Sequence, residues 1–235
     1  MKSFLMIGQS NMAGRGNLDD VDPIVNDRCY MFRMGRWLPM QEPINIDSLL
    51  GVEYPSGVGL AASFADMYSK YFKEDVGLIP CAVGDTAIEQ WMPGGYLYEN
   101  TVFNARYAMK SSELSGILWH QGENNAELLD EEAYRIAFLQ LMTAFRKDLG
   151  AERLPVVIGE ISEKISPKWN IKNVAEMNLL LNRLSKELQY CSIAPASELD
   201  LKQDGVHFSA QSYRTLGIRY FESYLDIVKN FNQTN

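Results

Sequence analysis

The fold is decided at the start of the chain, where residues 1–16 read MKSFLMIGQSNMAGRG. The apolar run at 4–7 predicts a strand that is buried on both faces. This strand stops at Gly8 and is followed by small polar residues, among them Ser10. Ligands of open α/β sheets bind at the carboxyl ends of the strands. The stretch therefore predicts a serine hydroxyl at a ligand-binding edge, and our working hypothesis is that Ser10 is a nucleophile.

After this strand, short apolar runs alternate with segments whose apolar residues recur at helical spacing. Further strands are predicted at 76–83, 116–119, 155–159 and 190–194, and helices near 60–71, 101–114, 134–149, 174–188 and 213–228. Ser209 is the predicted N-cap of the last helix. Strands that alternate with helices favour a parallel sheet covered on both faces. We expect an α/β fold, a three-layer α/β/α sandwich with a five-stranded parallel sheet, and one domain spanning residues 1–235.

A proline-containing region, roughly 17–57, separates the first strand from the first helix. Within it, residues 29–33 and 36–39 flank Met34-Gly35 and predict a small hairpin. Irregular regions of this length are usually functional. The region is therefore interpreted either as a lid or as a surface excursion without a role.

Composition narrows the classes of partner. With 22 Lys and Arg against 30 Asp and Glu, the net charge is −8, which argues against a nucleic-acid ligand and suits a neutral one such as a sugar ester. No apolar run approaches the length of about 20 residues that spans a bilayer, so no membrane partner is expected. The oligomeric state stays open.

Location is predicted from the N-terminus and from the cysteines. The run at 4–7 is shorter than the apolar core of a signal peptide. Cys29, Cys81 and Cys191 are odd in number and widely spaced, which is typical of free thiols in a reducing compartment. We expect a cytoplasmic protein, with a mature secreted form as the alternative.

Polar residues and glycine follow four of the five predicted strands. In chain order they are Ser10, then Gly84, then Gln121 with Glu123, and finally Asp204 with His207. Because the carboxyl ends of parallel strands meet at one edge of a sheet, these residues are expected to converge.

A nucleophilic serine needs a base, and the base needs a group that orients it. His120 ends a buried strand and is better interpreted as a structural histidine. His207 lies in Asp204-Gly205-Val206-His207, where a tight turn lets the Asp204 carboxylate accept from Nδ1–H and leaves Nε2 to face Ser10. The alternative is an ordinary turn at the start of a helix.

The developing oxyanion needs hydrogen-bond donors. The backbone N–H groups of Ser10 and Gly84 are candidates, and the Gln121 side-chain amide is a third. Glycine lets the backbone approach a ligand closely, although Gly84 also suits a plain turn.

Four further side chains are candidates for substrate binding. Glu123 either positions a water, binds sugar hydroxyls or caps the next helix at its N-terminus. Asn11 and Arg15 either contact the substrate or hold the loop after Ser10. Trp91 is placed to stack on a sugar ring, whereas Trp119, inside a strand, is expected in the core.

Several other chemistries are not indicated. The sequence has no His-x-x-x-His and its cysteines do not cluster, so no metal site is expected. It lacks the glycine spacing of nucleotide-binding loops. It also lacks the Gly-x-Ser-x-Gly elbow, because Met12 occupies the final position. We expect no metal or organic cofactor.

Four stretches carry a family resemblance. They are GQSNMAG at 8–14, AVGDTAIEQW at 82–91, HQGE at 120–123 and DGVH at 204–207. They resemble the blocks of the sialate O-acetylesterase domain, a branch of the SGNH (GDSL-like) hydrolase superfamily that includes the acetylxylan esterases of carbohydrate esterase family six. Two positions depart from that pattern: Asp85 replaces a second glycine, and Asn124-Asn125 replaces Ser-Asp.

The resemblance implies a flavodoxin-like three-layer fold and a triad of Ser10 as nucleophile, His207 as base and Asp204 as its partner. It also implies an oxyanion hole formed by the Ser10 and Gly84 amides with Gln121.

The expected function is a serine esterase that removes O-acetyl groups from carbohydrate, best xylan or xylo-oligosaccharides, through an acetyl-serine. The alternatives are a sialate O-acetylesterase, a general small-ester hydrolase, or a carbohydrate-binding domain that has lost activity.

Overall fold

The structure is a computed structural model that describes residues 1–46 and 56–233. The strands are β1 (Lys2–Gly8), β2 (Cys29–Arg33), β3 (Arg36–Pro39), β4 (Val76–Pro80), β5 (Glu113–His120), β6 (Val156–Gly159) and β7 (Cys191–Ala194). The helices are α1 (Ser10–Ala13), α2 (Leu60–Phe72), α3 (Tyr96–Ala108), α4 (Glu131–Asp148), α5 (Val174–Glu187) and α6 (Ala210–Gln233). Of the lid or excursion predicted at 17–57, residues 47–55 lie outside the described part.

The strands form one sheet in the order β3-β2-β4-β1-β5-β6-β7. The five predicted strands occupy β4-β1-β5-β6-β7, which is the flavodoxin-like order 2-1-3-4-5. The predicted hairpin is present, but it belongs to the same sheet, because β2 pairs in parallel with β4 and β3 pairs antiparallel with β2. The α/β class is therefore confirmed, and the expected count of five strands is corrected to seven within the residues that the structure describes.

β1 shows why the first apolar run organises the sheet. Phe4 and Met6 join the hydrophobic cluster that includes α2 and α6, whereas Leu5 and Ile7 join the cluster on the opposite face with α3, α4 and α5. Successive side chains of a strand point to opposite faces, so a strand between two helical layers must be apolar throughout. The three-layer sandwich follows from this packing.

Four of the predicted helices are confirmed as α2, α4, α5 and α6. The helix predicted at 101–114 was misplaced, because α3 ends at Ala108 and the chain turns into β5 at Glu113. The Glu113 N–H donates to the Met1 carbonyl, so the end of the predicted helix, from Glu113 onward, pairs with β1 as a strand instead. Ser209 is the N-cap of α6, since its Oγ accepts from the Ser212 N–H at 3.2 Å.

In the part of the chain that the structure describes, every helix is too short or too polar to cross a membrane. The three cysteines are free thiols, and Cys29 and Cys81 are buried. Burial raises the pKa of the Cys29 thiol to about 11 and the pKa of the Cys81 and Cys191 thiols to about 12. None of the three is therefore an activated nucleophile.

Candidate active site

Ser10 lies at the point where the strand order of the sheet reverses. β1 pairs with β4 on one side and with β5 on the other, so its carboxyl end opens a crevice between two crossovers. Gly8 has φ +131°, and a Cβ there would lie 2.1 Å from the His120 carbonyl oxygen, so only glycine fits. The Gln9 N–H then donates to that oxygen at 2.9 Å. This turn ends β1 and makes Ser10 the first residue of α1.

A continuous hydrogen-bonded chain joins Ser10 to the loop after β7. His207 Nε2 is 3.0 Å from Ser10 Oγ, and His207 Nδ1 is 3.0 Å from Asp204 Oδ2. The second carboxylate oxygen, Oδ1, accepts the backbone N–H groups of Val206 and His207 at 3.1 and 3.0 Å. The structure thus brings Ser10 to the Asp204–His207 pair, from which the sequence separates it by almost two hundred residues.

The charge of Asp204 fixes the tautomer of His207. Partial burial opposes ionisation of this carboxyl, but the His207 ring and the two backbone N–H groups outweigh burial and lower the pKa of Asp204 far below its usual range. An ionised Asp204 accepts the proton on Nδ1. The lone pair of Nε2 therefore faces the Ser10 hydroxyl, which is the arrangement that a general base requires.

Asn11 uses its whole side-chain amide to hold the site together. Nδ2 donates to Glu123 Oε1 at 2.5 Å and to the Val206 carbonyl at 3.2 Å. Oδ1 accepts from the Tyr213 hydroxyl at 2.6 Å and from the Phe208 N–H at 3.3 Å. Asn11 therefore holds the loop, as one of the two interpretations expected, and has no donor or acceptor left for substrate.

Asn11→Asp tests this interpretation without changing side-chain size. It replaces the donor at 2.5 Å from Glu123 by a second carboxylate, and two adjacent buried carboxylates share a proton with a raised pKa. Stability is then lost as pH rises through that pKa. We expect thermal unfolding to show a larger loss of Tm relative to the unmodified protein at pH 8 than at pH 5. An equal loss at both pH values would contradict the assignment.

Glu123 is a buried carboxylate, with 1% of its surface exposed. Burial alone raises its pKa, but the adjacent His120 ring and the hydrogen bond from Asn11 lower the pKa of Glu123 overall. Its Oε1 lies 3.6 Å from His120 Nε2, while His120 Nδ1 is 3.0 Å from the Tyr220 hydroxyl. His120 is thus a structural histidine, as expected. The interpretation of Glu123 as a helix cap is wrong, because Asp130 caps α4.

Gln121 does not have the role that was predicted for it. Its two amide hydrogens donate to the Thr86 carbonyl at 3.1 Å and to Asn125 Oδ1 at 2.7 Å. Its Oε1 accepts from the Tyr134 hydroxyl at 2.8 Å. The predicted oxyanion donor is therefore corrected to a buried scaffold residue, because no donor remains.

Trp91 was predicted to stack on a sugar, and this prediction was wrong. The residue is 0% exposed, and its Nε1 donates to Thr86 Oγ1 at 3.1 Å. Its ring packs edge-on against Trp119, with 6.0 Å between ring centroids. Trp119 lies in the core as expected.

Ser10 and His207 line a cavity of about 220 Å³. The other lining residues are Gln9, Arg15, Asp85, Glu123, Asn124, Glu127, Trp169, Ile171 and Val206. Arg15 reaches the cavity while donating to the Gly14 carbonyl at 3.2 Å. Gly84 is buried in the turn before Asp85. Within residues 1–46 and 56–233 there is no cluster of His, Cys, Asp and Glu that could hold a metal ion.

Trp169 is the one aromatic residue among the cavity-lining residues that the sequence analysis did not single out. It lies in the loop after β6, the fourth of the predicted strands, for which no polar or aromatic residue was singled out. The signal for it lies in the topology, because the loop after a parallel strand reaches the same edge of the sheet as the loops after its neighbours.

Comparisons with known proteins agree on a family. The family model described as carbohydrate esterase, sialic acid-specific acetylesterase, matches residues 1–226. A protein of Arabidopsis thaliana named "Probable carbohydrate esterase At4g34215" is 31% identical over 94% of this chain and 89% of its own length. Its crystal structure superposes with a TM-score of 0.83, at 27% identity over 96% of this chain and 98% of that one.

Two more distant structures share the fold. NanS has a TM-score of 0.77 at 17% identity and covers 97% of both chains. XAC1771, a carbohydrate acetylesterase from Xanthomonas citri, has a TM-score of 0.68 at 18% identity and covers 97% of this chain and 57% of that one. The family match together with the Arabidopsis relative shows that this chain belongs to the sialic acid-specific acetylesterase family of carbohydrate esterases, which are carboxylic ester hydrolases.

Proposed function

We propose that the protein removes O-acetyl groups from a neutral carbohydrate, best acetylated xylan fragments, by a serine-esterase mechanism. The observation that carries this proposal is the hydrogen-bonded triad of Asp204, His207 and Ser10 at the edge of a cavity. The distances from His207 Nδ1 to Asp204 Oδ2 and from His207 Nε2 to Ser10 Oγ are both 3.0 Å. A carbohydrate-binding domain that has lost activity would be expected to lack at least one triad residue, whereas all three are present here.

In the first half of the reaction, Ser10 Oγ attacks the acetyl carbonyl carbon while His207 Nε2 takes the hydroxyl proton. The resulting tetrahedral intermediate collapses as the bond from the carbonyl carbon to the sugar oxygen breaks. The proton on Nε2 passes to that oxygen, so the sugar leaves as an alcohol and Ser10 carries the acetyl group. Asp204 stabilises the imidazolium that forms in between.

In the second half, His207 Nε2 removes a proton from a water that attacks the acetyl-Ser10 carbonyl. The bond between the carbonyl carbon and Oγ breaks, the proton on Nε2 returns to Ser10, and acetic acid leaves and ionises in solvent to acetate. Both intermediates place a negative charge on the former carbonyl oxygen. The Ser10 N–H has no partner within α1, because it begins the helix, and we assign it and the Gly84 N–H as donors.

Asn124 replaces Gln121 as the side-chain donor in this proposal. It lines the cavity, and one amide hydrogen donates to Asp85 Oδ1 at 3.0 Å, which leaves the second for the oxyanion. Its backbone N–H donates to Gln9 Oε1 at 3.4 Å.

The two amides are expected to respond differently to alanine. Asn124→Ala should lower kcat by about 10²-fold, the usual effect of losing one oxyanion donor. Gln121→Ala should lower the free energy of unfolding by about 2–4 kcal/mol, because it leaves buried partners unpaired, while kcat per folded molecule stays within about threefold. Urea unfolding and active-site titration measure both, and the reverse pattern would restore Gln121 as donor.

The charges around the cavity support a neutral sugar over sialate. Three carboxylates, Asp85, Glu123 and Glu127, line the cavity. Arg15 is the one arginine or lysine among the described lining residues, and the Lys168 ammonium lies nearby, 6.0 Å from the centroid of the Trp169 ring. The lowered pKa of Glu123 keeps that carboxyl ionised. The carboxylate of a sialic acid would enter a site that is already negative, and such juxtaposition disfavours binding.

A side-by-side assay tests both levels of the proposal. Labelling by a fluorophosphonate, which requires an activated serine, should modify Ser10 and so separate an esterase from an inactive binding domain. Acetate release from acetylated xylo-oligosaccharides should exceed release from O-acetylated sialic acid in kcat/KM. A preference for sialate would remove the xylan assignment but leave the esterase mechanism intact, whereas failed labelling would remove both.

A further inference from the structure

Trp169 lines the cavity and has no role in the mechanism proposed above. It ends the short 3₁₀ turn Pro167–Trp169 in the loop between β6 and α5, and it is half-buried. Its indole N–H donates to the Asp204 backbone carbonyl at 2.7 Å. The ring is therefore attached directly to the loop that carries the triad.

The loop around Trp169 is fastened to both neighbouring loops. On one side, the Ser166 N–H donates to the Gly205 carbonyl at 2.7 Å. On the other, Asn170 Nδ2 donates to Glu127 Oε1 at 3.0 Å, and Asn173 Nδ2 donates to the Ala126 carbonyl at 2.9 Å. The indole is thus held in place before any ligand arrives, and a preorganised surface binds at a smaller entropic cost.

Gly205 shows how closely the two loops are fitted. It has φ +70°, and a Cβ there would lie 2.6 Å from Ser166 Cβ. Glycine is thus required at the contact that positions Trp169 beside the triad.

The indole keeps ring surface for a ligand. An N–H donor lies in the plane of the ring, so the bond to Asp204 engages only the edge, and the face that Lys168 does not cover remains for a ligand. The Lys168 ammonium lies 6.0 Å from the ring centroid over the indole. Asn124 and Glu127 bring amide and carboxylate groups to the same cavity. An aromatic face beside hydroxyl-binding groups suits a sugar ring, which has apolar C–H faces and a polar rim.

We infer that Trp169 is the platform on which the sugar ring of the substrate stacks while its acetyl group lies at Ser10. This inference rests on the proposed function for the identity of the leaving group. It assigns to Trp169 the role that the sequence suggested for Trp91. The competing explanation is that Trp169 serves only to position Asp204, and the indole N–H allows the two roles to be separated.

Binding is measured first, in a background that cannot turn over. Ser10→Ala protein is titrated calorimetrically with an acetylated xylo-oligosaccharide. Adding Trp169→Ala should weaken binding about tenfold, whereas Trp169→Phe, which keeps a ring, should weaken it by about threefold or less. Tyr96→Ala is the matched control, because Tyr96 is an exposed aromatic (78%) on α3 that does not line the cavity, and it should leave affinity unchanged.

Kinetics in the active enzyme then separate platform from positioning. Trp169→Ala should raise KM about tenfold for the sugar acetate. Trp169→Phe should keep KM close to the unmodified value, while its kcat falls equally for the sugar acetate and for ethyl acetate, which has no ring to stack. A purely positioning Trp169 would give Phe and Ala variants with the same loss on both substrates and no change in sugar affinity, and that result overturns the inference.

The outcome is independent of the proposed reaction. If Ser10→Ala protein binds no xylo-oligosaccharide, or binds it equally with and without the indole, the platform is overturned even if ester hydrolysis stands. If the unmodified enzyme fails to deacetylate sugars but its Ser10→Ala form binds them through Trp169, the platform stands and the proposed function falls.

Discussion

Ser10→Ala is expected to reduce kcat for acetate esters by about 10⁴- to 10⁶-fold while the protein stays folded. The side chain contributes one hydroxyl, which is hydrogen-bonded to His207 Nε2 at 3.0 Å, and the residue is only 7% exposed. Removing the oxygen eliminates the nucleophile but leaves the backbone turn at Gly8 and the contacts of Asn11 unchanged. Acetate release followed in a pH-stat, with Tm by calorimetry, measures both parts.

Ser115→Ala provides a matched control for this change. Ser115 is another strand-region serine, but its Oγ donates to the Glu113 carbonyl at 3.1 Å at the opposite end of the sheet. It should retain full activity and full fluorophosphonate labelling. Residual turnover by Ser10→Ala above one hundredth of the original rate, with labelling retained, would show that another residue is the nucleophile.

Asp204→Asn has the second largest expected effect, a loss of about 10⁴-fold in kcat at neutral pH. An amide directed at His207 Nδ1 donates a hydrogen instead of accepting one, so the imidazole proton moves to Nε2. In that tautomer His207 cannot take the proton of Ser10, although every distance stays near 3.0 Å. Kinetics of the variant with geometry checked by crystallography tests this reasoning; a loss below tenfold would assign the orientation of His207 to another group.

The same substitution changes how stability depends on pH. Because the pKa of Asp204 is lowered in the folded protein, its carboxylate contributes stability that is fully present above its usual range near pH 4 and is lost as pH falls below it. Asp204→Asn removes this contribution at all pH values. The Tm difference between the two proteins should therefore be larger at pH 7 than at pH 3, and a difference that grows on acidification would contradict the assigned charge.

The sequence was sufficient for features that depend on local pattern. The apolar run at 4–7 predicts β1 because only a strand packed on both faces needs four successive apolar residues. Asp204 and His207 could be paired because a tight turn brings positions i and i+3 together, and the structure has them 3.0 Å apart. Glycine at position 8 marked the end of the strand for the same local reason.

The features that were missed depend on contacts between distant segments. The Gln121 amide is hydrogen-bonded to the Thr86 carbonyl and to the Tyr134 hydroxyl, and the residues next to Gln121 in the sequence do not predict these partners. Trp91 and Trp169 both follow strands, and only packing decides that the first is buried and the second reaches the cavity. The hairpin of β2 and β3 was recognised, but its pairing with β4 is a long-range contact that its own sequence does not encode.

The contact between Ser166 and Gly205 bears on how this enzyme could be adapted to new acetylated compounds. The loop 166–172 would be exchanged to accept a different alcohol. Two of its residues, Ser166 and Trp169, donate hydrogen bonds to the backbone carbonyls of Gly205 and of the triad residue Asp204. Engineering of selectivity and preservation of turnover are therefore coupled in this scaffold. Libraries that randomise residues 167–172 but retain position 166 and the glycine opposite it should yield a larger fraction of active clones than libraries that replace the whole loop.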